Sequence, residues 1–177
     1  MMTALITFGT FTVHSQQRDS FINGKLAQDW YNQYPAIFDE DDLRLTKTQP
    51  SNHFYEWLAA IVIFHSTGYR SLIEKYQFTK DGHQRKQEII ERINSPALNT
   101  ALLHYGEYGK IQCPDLLVYA PDLSDWFFCE VKGGSDRLRE KQKLHFQALQ
   151  SLTGKAVRLV QFHVVGKSVA KPRVSLR

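Results

Sequence analysis

Apolar and polar positions alternate along residues 156–165, AVRLVQFHVV, which predicts a strand, and residues 4–13 suggest another. Two short apolar runs, Leu116 to Tyr119 and Trp126 to Val131, are rich in β-branched and aromatic residues and flank the turn sequence PDLSD. They predict a hairpin, with strands over 113–120 and 125–132. Helical spacing dominates elsewhere. A helix from Asn52, capped by Ser51 or Asn52, runs through FYEWLAAIVIFH to a stop at Thr67-Gly68, and it is apolar nearly all round, hence buried. Residues 69–76 and 83–93 carry Leu72, Ile73, Tyr76 and Ile89, Ile90, Ile93 as buried helical stripes, and Pro96 opens a short helix over 97–104. A last helix, capped by Ser135 or Asp136, extends to about Leu152 with Leu138, His145, Phe146 and Leu149 on its buried side. The fold class expected is α/β, a twisted mixed sheet with helices on both faces.

The hairpin contains ionisable residues where buried strands have none. Glu130 and Lys132 lie two apart, so they share a face, opposite to Cys129 and Val131. Antiparallel pairing of the outer ends sets Asp115 against Glu130. Two carboxylates in contact repel unless a cation lies between them. Paired oxygen ligands suit a hard divalent ion, magnesium first and manganese second. Lys132 beside them can orient or deprotonate a water, or stabilise charge on a phosphate, and the set describes phosphodiester hydrolysis. Gln142 falls on the apolar side of the last helix and needs a hydrogen-bond partner, expected to be Lys132, a metal-bound water or a substrate phosphate. Glu56, alone among acids on the apolar helix from Asn52, is a candidate third acidic ligand; the rival reading is favourable placement near a helix N-terminus.

Pro114-Asp115 followed by Glu130-Val131-Lys132 resembles the PD-(D/E)XK nuclease motif. The continuation Gly133-Gly134-Ser135-Asp136-Arg137-Leu138, with Gln142 behind it, is similar to the VRR-NUC branch of that superfamily, the nuclease domain that ends the Fanconi-anaemia-associated structure-specific nuclease. The likeness covers about residues 50–166 and is densest over 109–149. It implies an αβββαβ core and DNA cleavage leaving a 5′-phosphate, in repair or recombination. Asp115, Glu130, Lys132 and Gln142 are then catalytic, and Asp115, Glu130, the Val131 carbonyl and Glu56 hold Mg2+ or Mn2+. Flapped or branched DNA is the expected substrate. A four-way-junction resolvase acting as a homodimer and a non-catalytic nucleic-acid-binding or complex-forming module are the alternatives.

Charge adds a direction to this picture. Residues 1–66 hold four Lys/Arg against seven Asp/Glu, residues 67–131 seven against nine, and residues 132–177 eleven against two. The positive block begins where the acidic pair ends, as a polyanionic substrate requires. Arg137 and Lys141, one turn apart on the last helix, are expected to grip phosphate, with Arg139 and Lys143 beside them. His83, Arg85, Lys86 and Arg92 read as a solvated face, and the acidic run Asp39 to Asp42 as an exposed loop or helix start.

The 177 residues suffice for one domain and a buried core. The organisation expected is an extension over 1–50, a nuclease-like domain over 51–166 and a basic tail over 167–177. The longest apolar run, Trp57 to Phe64, is too short to span a membrane, and the start lacks the basic leader of a secretory signal. An intracellular location, cytoplasmic or nucleoid-associated, is expected. Cys113 and Cys129 read as small packing residues, and no pair of histidines has zinc-ligand spacing.

Overall fold

The computed structural model describes residues 5–73, 76, 83–108 and 113–166, with side chains at 104–108 left aside. The GKIQ segment before Cys113, Glu74 and Lys75, the Glu107 side chain and the tail 167–177 all lie outside the described residues. The elements follow in the order β1 (Leu5–His14), α1 (Ser15–Ile22), α2 (Lys25–Gln33), α3 (Glu40–Thr48), α4 (Phe54–Thr67) and β2 (Arg70–Ile73). Then come α5 (Gln84–Ile93), α6 (Pro96–Tyr108), β3 (Leu116–Tyr119), β4 (Trp126–Gly133), α7 (Glu140–Thr153) and β5 (Val157–Val165). The protein is mixed α/β.

The five strands form one sheet in the order β1-β5-β4-β3-β2. β2, β3 and β4 pair antiparallel, and β5 lies parallel to both β4 and β1. β5 is therefore internal. Its partner β1 comes from the first fifty residues, matched from Leu5 against Val157 to His14 against Val165. The same segment supplies Phe21, Trp30 and Phe38, whose rings pack on Phe54 and Trp57 of α4; Phe38 and Trp57 stack with centroids 3.8 Å apart.

Each face of the sheet has its own core. One joins α4 and the N-terminal helices to Ile73, Leu116, Val118, Phe127, Cys129 and Val131. The other joins α5, α6 and α7 to Leu72, Leu117, Tyr119, Trp126 and Phe128. Strands buried on both faces have no solvated side, which explains the continuous apolar runs in β3 and β4.

The helix expected over 69–76 is a strand over Arg70–Ile73. Gly68, at φ +74°, closes α4, and the chain then pairs with β3. Leu72 and Ile73, adjacent in sequence, enter opposite cores, so their helix-like spacing came from a strand covered twice. The acidic run proves to be a helix start. The Asp39 carboxylate accepts from the Asp42 N–H at 2.9 Å, and Asp42 returns the bond to the Asp39 N–H at 3.2 Å.

The reading of Lys86 as solvated is corrected. Lys86 is 1% exposed, pairs with Asp42 (2% exposed) at 2.8 Å and donates to the Ile73 carbonyl. Neighbouring Arg85 donates to the carbonyls of Ile37 and Ala36 at 2.7 and 3.0 Å. An ionic cluster thus ties α3 and the loop before it to α5 and β2. Burial raises the pKa of Asp42 and Lys86 opposes the shift.

Candidate functional site

The β3–β4 hairpin turns through residues 120–125, where the Ala120 N–H donates to the Asp125 carbonyl at 2.8 Å and Leu123 takes φ +65°. Its register pairs Leu116 with Cys129. One step outward, beyond the end of β3, Asp115 stands against Glu130. There the Asp115 carboxylate accepts the Val131 N–H at 2.7 Å, replacing the backbone bond that β3 no longer supplies. In a strand the N–H and C=O of one residue leave on the same edge, so the Val131 carbonyl faces the same gap. From behind, the buried Tyr76 hydroxyl donates to the Pro114 carbonyl and fixes the approach of the chain to Asp115.

Glu130 is 2% exposed, and its Oε1 accepts from Lys132 Nζ at 2.8 Å and Gln142 Nε2 at 2.7 Å. Lys132 Nζ also donates to Asp136 Oδ2 at 3.1 Å. Gln142 Oε1 accepts the Arg139 N–H at 3.1 Å, so one side chain both caps α7 and holds Glu130. Of the expected partners of Gln142, Lys132 is reached only through the Glu130 carboxylate, which is the side chain that Gln142 meets. Asp136 is a member of the pocket that sequence reasoning left undecided. Its position four residues after Lys132, beyond the Gly133-Gly134 turn, was the available signal.

The electrostatics of the pocket are those of crowded acids. Asp115 is raised well above the usual carboxylate range, first by burial, then by the charges of Glu130 and Glu56; the Val131 N–H and Lys132 counter this. Glu130 is raised by burial, against the hydrogen bonds and charge of Lys132 and the Gln142 bond. Of the two, Asp115 is the more strongly raised, because Glu130 has the ammonium in contact. For Lys132, burial disfavours the charge, yet Glu130, Asp136 and Asp115 outweigh it and hold the pKa above its ordinary value. Lys132 is an ammonium at neutral pH. Glu56, in the first turn of α4, reaches this pocket by its field on Asp115.

These residues fit a hard divalent cation in donor type and charge. Three carboxylates and a strand-end carbonyl are oxygen donors, and a cation would offset both the burial of Asp115 and the charges of Glu130 and Glu56 that raise its pKa. Their spacing is wider than a bound ion sets: among the described residues no group of three His, Cys, Asp or Glu side chains is close enough to hold one. Glu130 Oε1 is turned to Lys132 and Gln142 instead.

Around the pocket, Gly133 is packed under the Tyr55 ring so closely that a Cβ there would overlap it. Gly134 turns the chain at φ +61°. The helix expected from Ser135 or Asp136 begins instead at Glu140, because the Asp136 carboxylate is engaged by Lys132 and the Arg137 N–H. Arg137 therefore precedes α7 and does not share a helical face with Lys141. Its guanidinium folds back on the Asp136 carbonyl at 3.0 Å. Lys143 pairs with Glu140 at 2.6 Å on the surface, and Arg139 and Lys141 are exposed. Cys113 and Cys129 are buried free thiols, and burial, Asp115 and Glu130 all raise the Cys129 pKa. Among the described residues no helix is long and apolar enough to cross a membrane.

Fold and site together define a mixed α/β protein with a carboxylate–lysine pocket at the open end of a β-hairpin. No protein-family profile matches the chain, and no curated protein matches it.

Proposed function

We propose that the protein is a metal-dependent DNA nuclease of the PD-(D/E)XK type, hydrolysing phosphodiester bonds in flapped or branched DNA. The observation that carries this reading is the meeting of Asp115, Glu130 and Lys132 at the outer end of the β3–β4 hairpin, with the acid of α4 in the same field. The element order supports it. From α4 the chain runs α4, β2, β3, β4, α7, β5, an αβββαβ sequence into which α5 and α6 are inserted between β2 and β3.

Asp115, Glu130, the Val131 carbonyl and Glu56 would hold magnesium or manganese. Bound there, such an ion makes water a stronger nucleophile at neutral pH and neutralises charge on phosphate. The residues of the chain do the rest. The Lys132 ammonium, already protonated and steered by Asp136, orients the attacking water and stabilises charge growing on the phosphate. Gln142 fixes the rotamer of Glu130. Val131, by donating to one oxygen of Asp115, holds that carboxylate in place, as a residue that would serve the ion must be held. Arg137, Arg139 and Lys141 are exposed on and just before α7, the helix that carries Gln142, and would supply the phosphate contacts.

The test is incubation of the purified protein with end-labelled flap, four-way junction and duplex DNA, with and without magnesium. Magnesium-dependent cleavage, fastest on the flap and abolished in Asp115→Asn and Glu130→Gln, is the expected result. Cleavage that persists in either variant refutes the assignment. Preference for the junction by a dimeric species would move the substrate to four-way DNA while keeping the chemistry.

A further inference from the structure

The face of the sheet that carries Glu130 and Lys132 continues beyond the pocket. β4, β5 and β1 run parallel, and their registers set Lys132 against Gln161 and Gln161 against Thr10. Partners across parallel strands point to the same side, so these side chains form one row over three strands, roughly 10 Å from end to end. Two residues further along, His163 and Thr12 form a second row on that side. Thr10, Thr12 and His163 are exposed, and Gln161 is half-buried.

The character of this face changes where α7 stops covering it. Val157 and Leu159 are buried, Val157 in one core with Phe146 and Leu149 of α7. Gln142, in the first turn of α7, reaches Glu130, which is level with Leu159. Gln161 and His163 lie past that level, in the open. The reverse side of the same stretch stays apolar: Val13 and Phe162 are buried, and the Phe11 ring lies 5.9 Å from that of Phe162. Among the described residues no hydrogen bond engages the side chains of Thr10, Thr12, Gln161 or His163. A row of free donors thus begins at Lys132 and contains no carboxylate.

We propose that this strip binds the sugar–phosphate backbone of the DNA strand as it leaves the scissile phosphate, crossing from Lys132 over Gln161 and His163 to Thr10 and Thr12. The inference rests on hydrolysis at the hairpin pocket, which puts the scissile phosphate beside Lys132. Amide and hydroxyl groups bond phosphate and sugar oxygens and read no sequence. The strip presents no aromatic ring on which bases could stack, which also favours backbone contact. Its length matches about three stacked nucleotides. Two of its four members come from β1, so the first fifty residues supply part of the substrate path as well as an edge of the sheet.

The test is fluorescence anisotropy of a fluorescein-labelled flap DNA bound to the full chain, with calcium in place of magnesium, over a series of salt concentrations. Gln161→Ala/Thr12→Val should weaken binding about tenfold, the scale of two lost hydrogen bonds. The slope of log affinity against log salt should not change, because neutral donors release no counterions. Arg137→Gln/Lys141→Gln gives the contrast, with a slope shallower by about two. If the Gln161 variant does not fold, His163→Ala/Thr12→Val, at exposed positions only, decides by its loss of affinity. Undiminished affinity in the strip variants, a loss in Gln161→Ala/Thr12→Val accompanied by the shallower slope, or no DNA binding by the wild type overturns the proposal. Cleavage in magnesium separates it from the nuclease reading. Strip-dependent binding without cleavage supports the strip and refutes hydrolysis, whereas cleavage with unaltered KM in the strip variants refutes the strip and leaves hydrolysis standing.

Discussion

Glu130 and Lys132, two residues apart on β4, meet at 2.8 Å on one face of the sheet, and the oxygen they share is also held by Gln142. Their contact makes Lys132 a permanent cation in the neutral range, so its contribution is charge and orientation rather than proton abstraction. Lys132→Met should lower the cleavage rate by about 10²- to 10³-fold, the scale of losing one transition-state charge donor. Lys132→Arg should recover part of that loss. Because Lys132→Met leaves a buried carboxylate without its cation, it should also cost about 3 kcal/mol in urea unfolding.

Asp115 has the opposite sign from an ordinary salt-bridged acid. Its pKa in the folded protein lies above that of the unfolded chain, so between the two values the native state binds more protons and stability falls as pH rises. Asp115→Asn keeps an oxygen for the Val131 N–H and removes the charge. The variant should therefore be inactive yet melt about 2–4 °C above the wild type at neutral pH, with the gap closing as pH drops toward the ordinary carboxylate range. Melting curves across that range, without divalent ions, check both sign and window.

Gln142 joins a helix cap to the acid it holds, and two substitutions separate those roles. Gln142→Leu loses both bonds and should cost about 1 kcal/mol from the cap alone. Gln142→Glu can still accept the Arg139 N–H but places a second carboxylate against Glu130. It should keep the helix and shift the acid limb of the pH–rate profile upward. Equal stability losses with unchanged profiles in both variants would reduce Gln142 to a cap.

The hairpin was legible because its chemistry sits in a local pattern: alternation put Glu130 and Lys132 on one face, and a short turn brought Asp115 to their level. What could not be read depends on distant partners. Leu72 and Ile73 looked helical because nothing in their own stretch reveals that both faces of β2 are covered. Tyr76, placed on a helical stripe, instead holds the Pro114 carbonyl. The start of α7 was set three or four residues early because Ser135 and Asp136 resemble caps; the Asp136 carboxylate is engaged by Lys132 instead. Lys86 looked solvated because its acid, Asp42, belongs to a helix far back in the chain.

That last pair carries its own prediction. Lys86→Met strands a buried Asp42 and should destabilise the protein by about 3–5 kcal/mol, whereas Asp42→Asn/Lys86→Met should cost markedly less. Urea unfolding of the two variants gives the comparison. Equal costs would mean that the pair is not coupled.

An ion shared by Asp115 and Glu130 is the centre of the account, and titration with Mn2+, followed through the free-ion signal in electron paramagnetic resonance, addresses it without any substrate. The account predicts a site in the wild type whose affinity falls at least about tenfold in Asp115→Asn and in Glu130→Gln, as expected for loss of a charged ligand. Arg92→Gln should leave it unchanged. Wild-type binding retained in both carboxylate variants would contradict it.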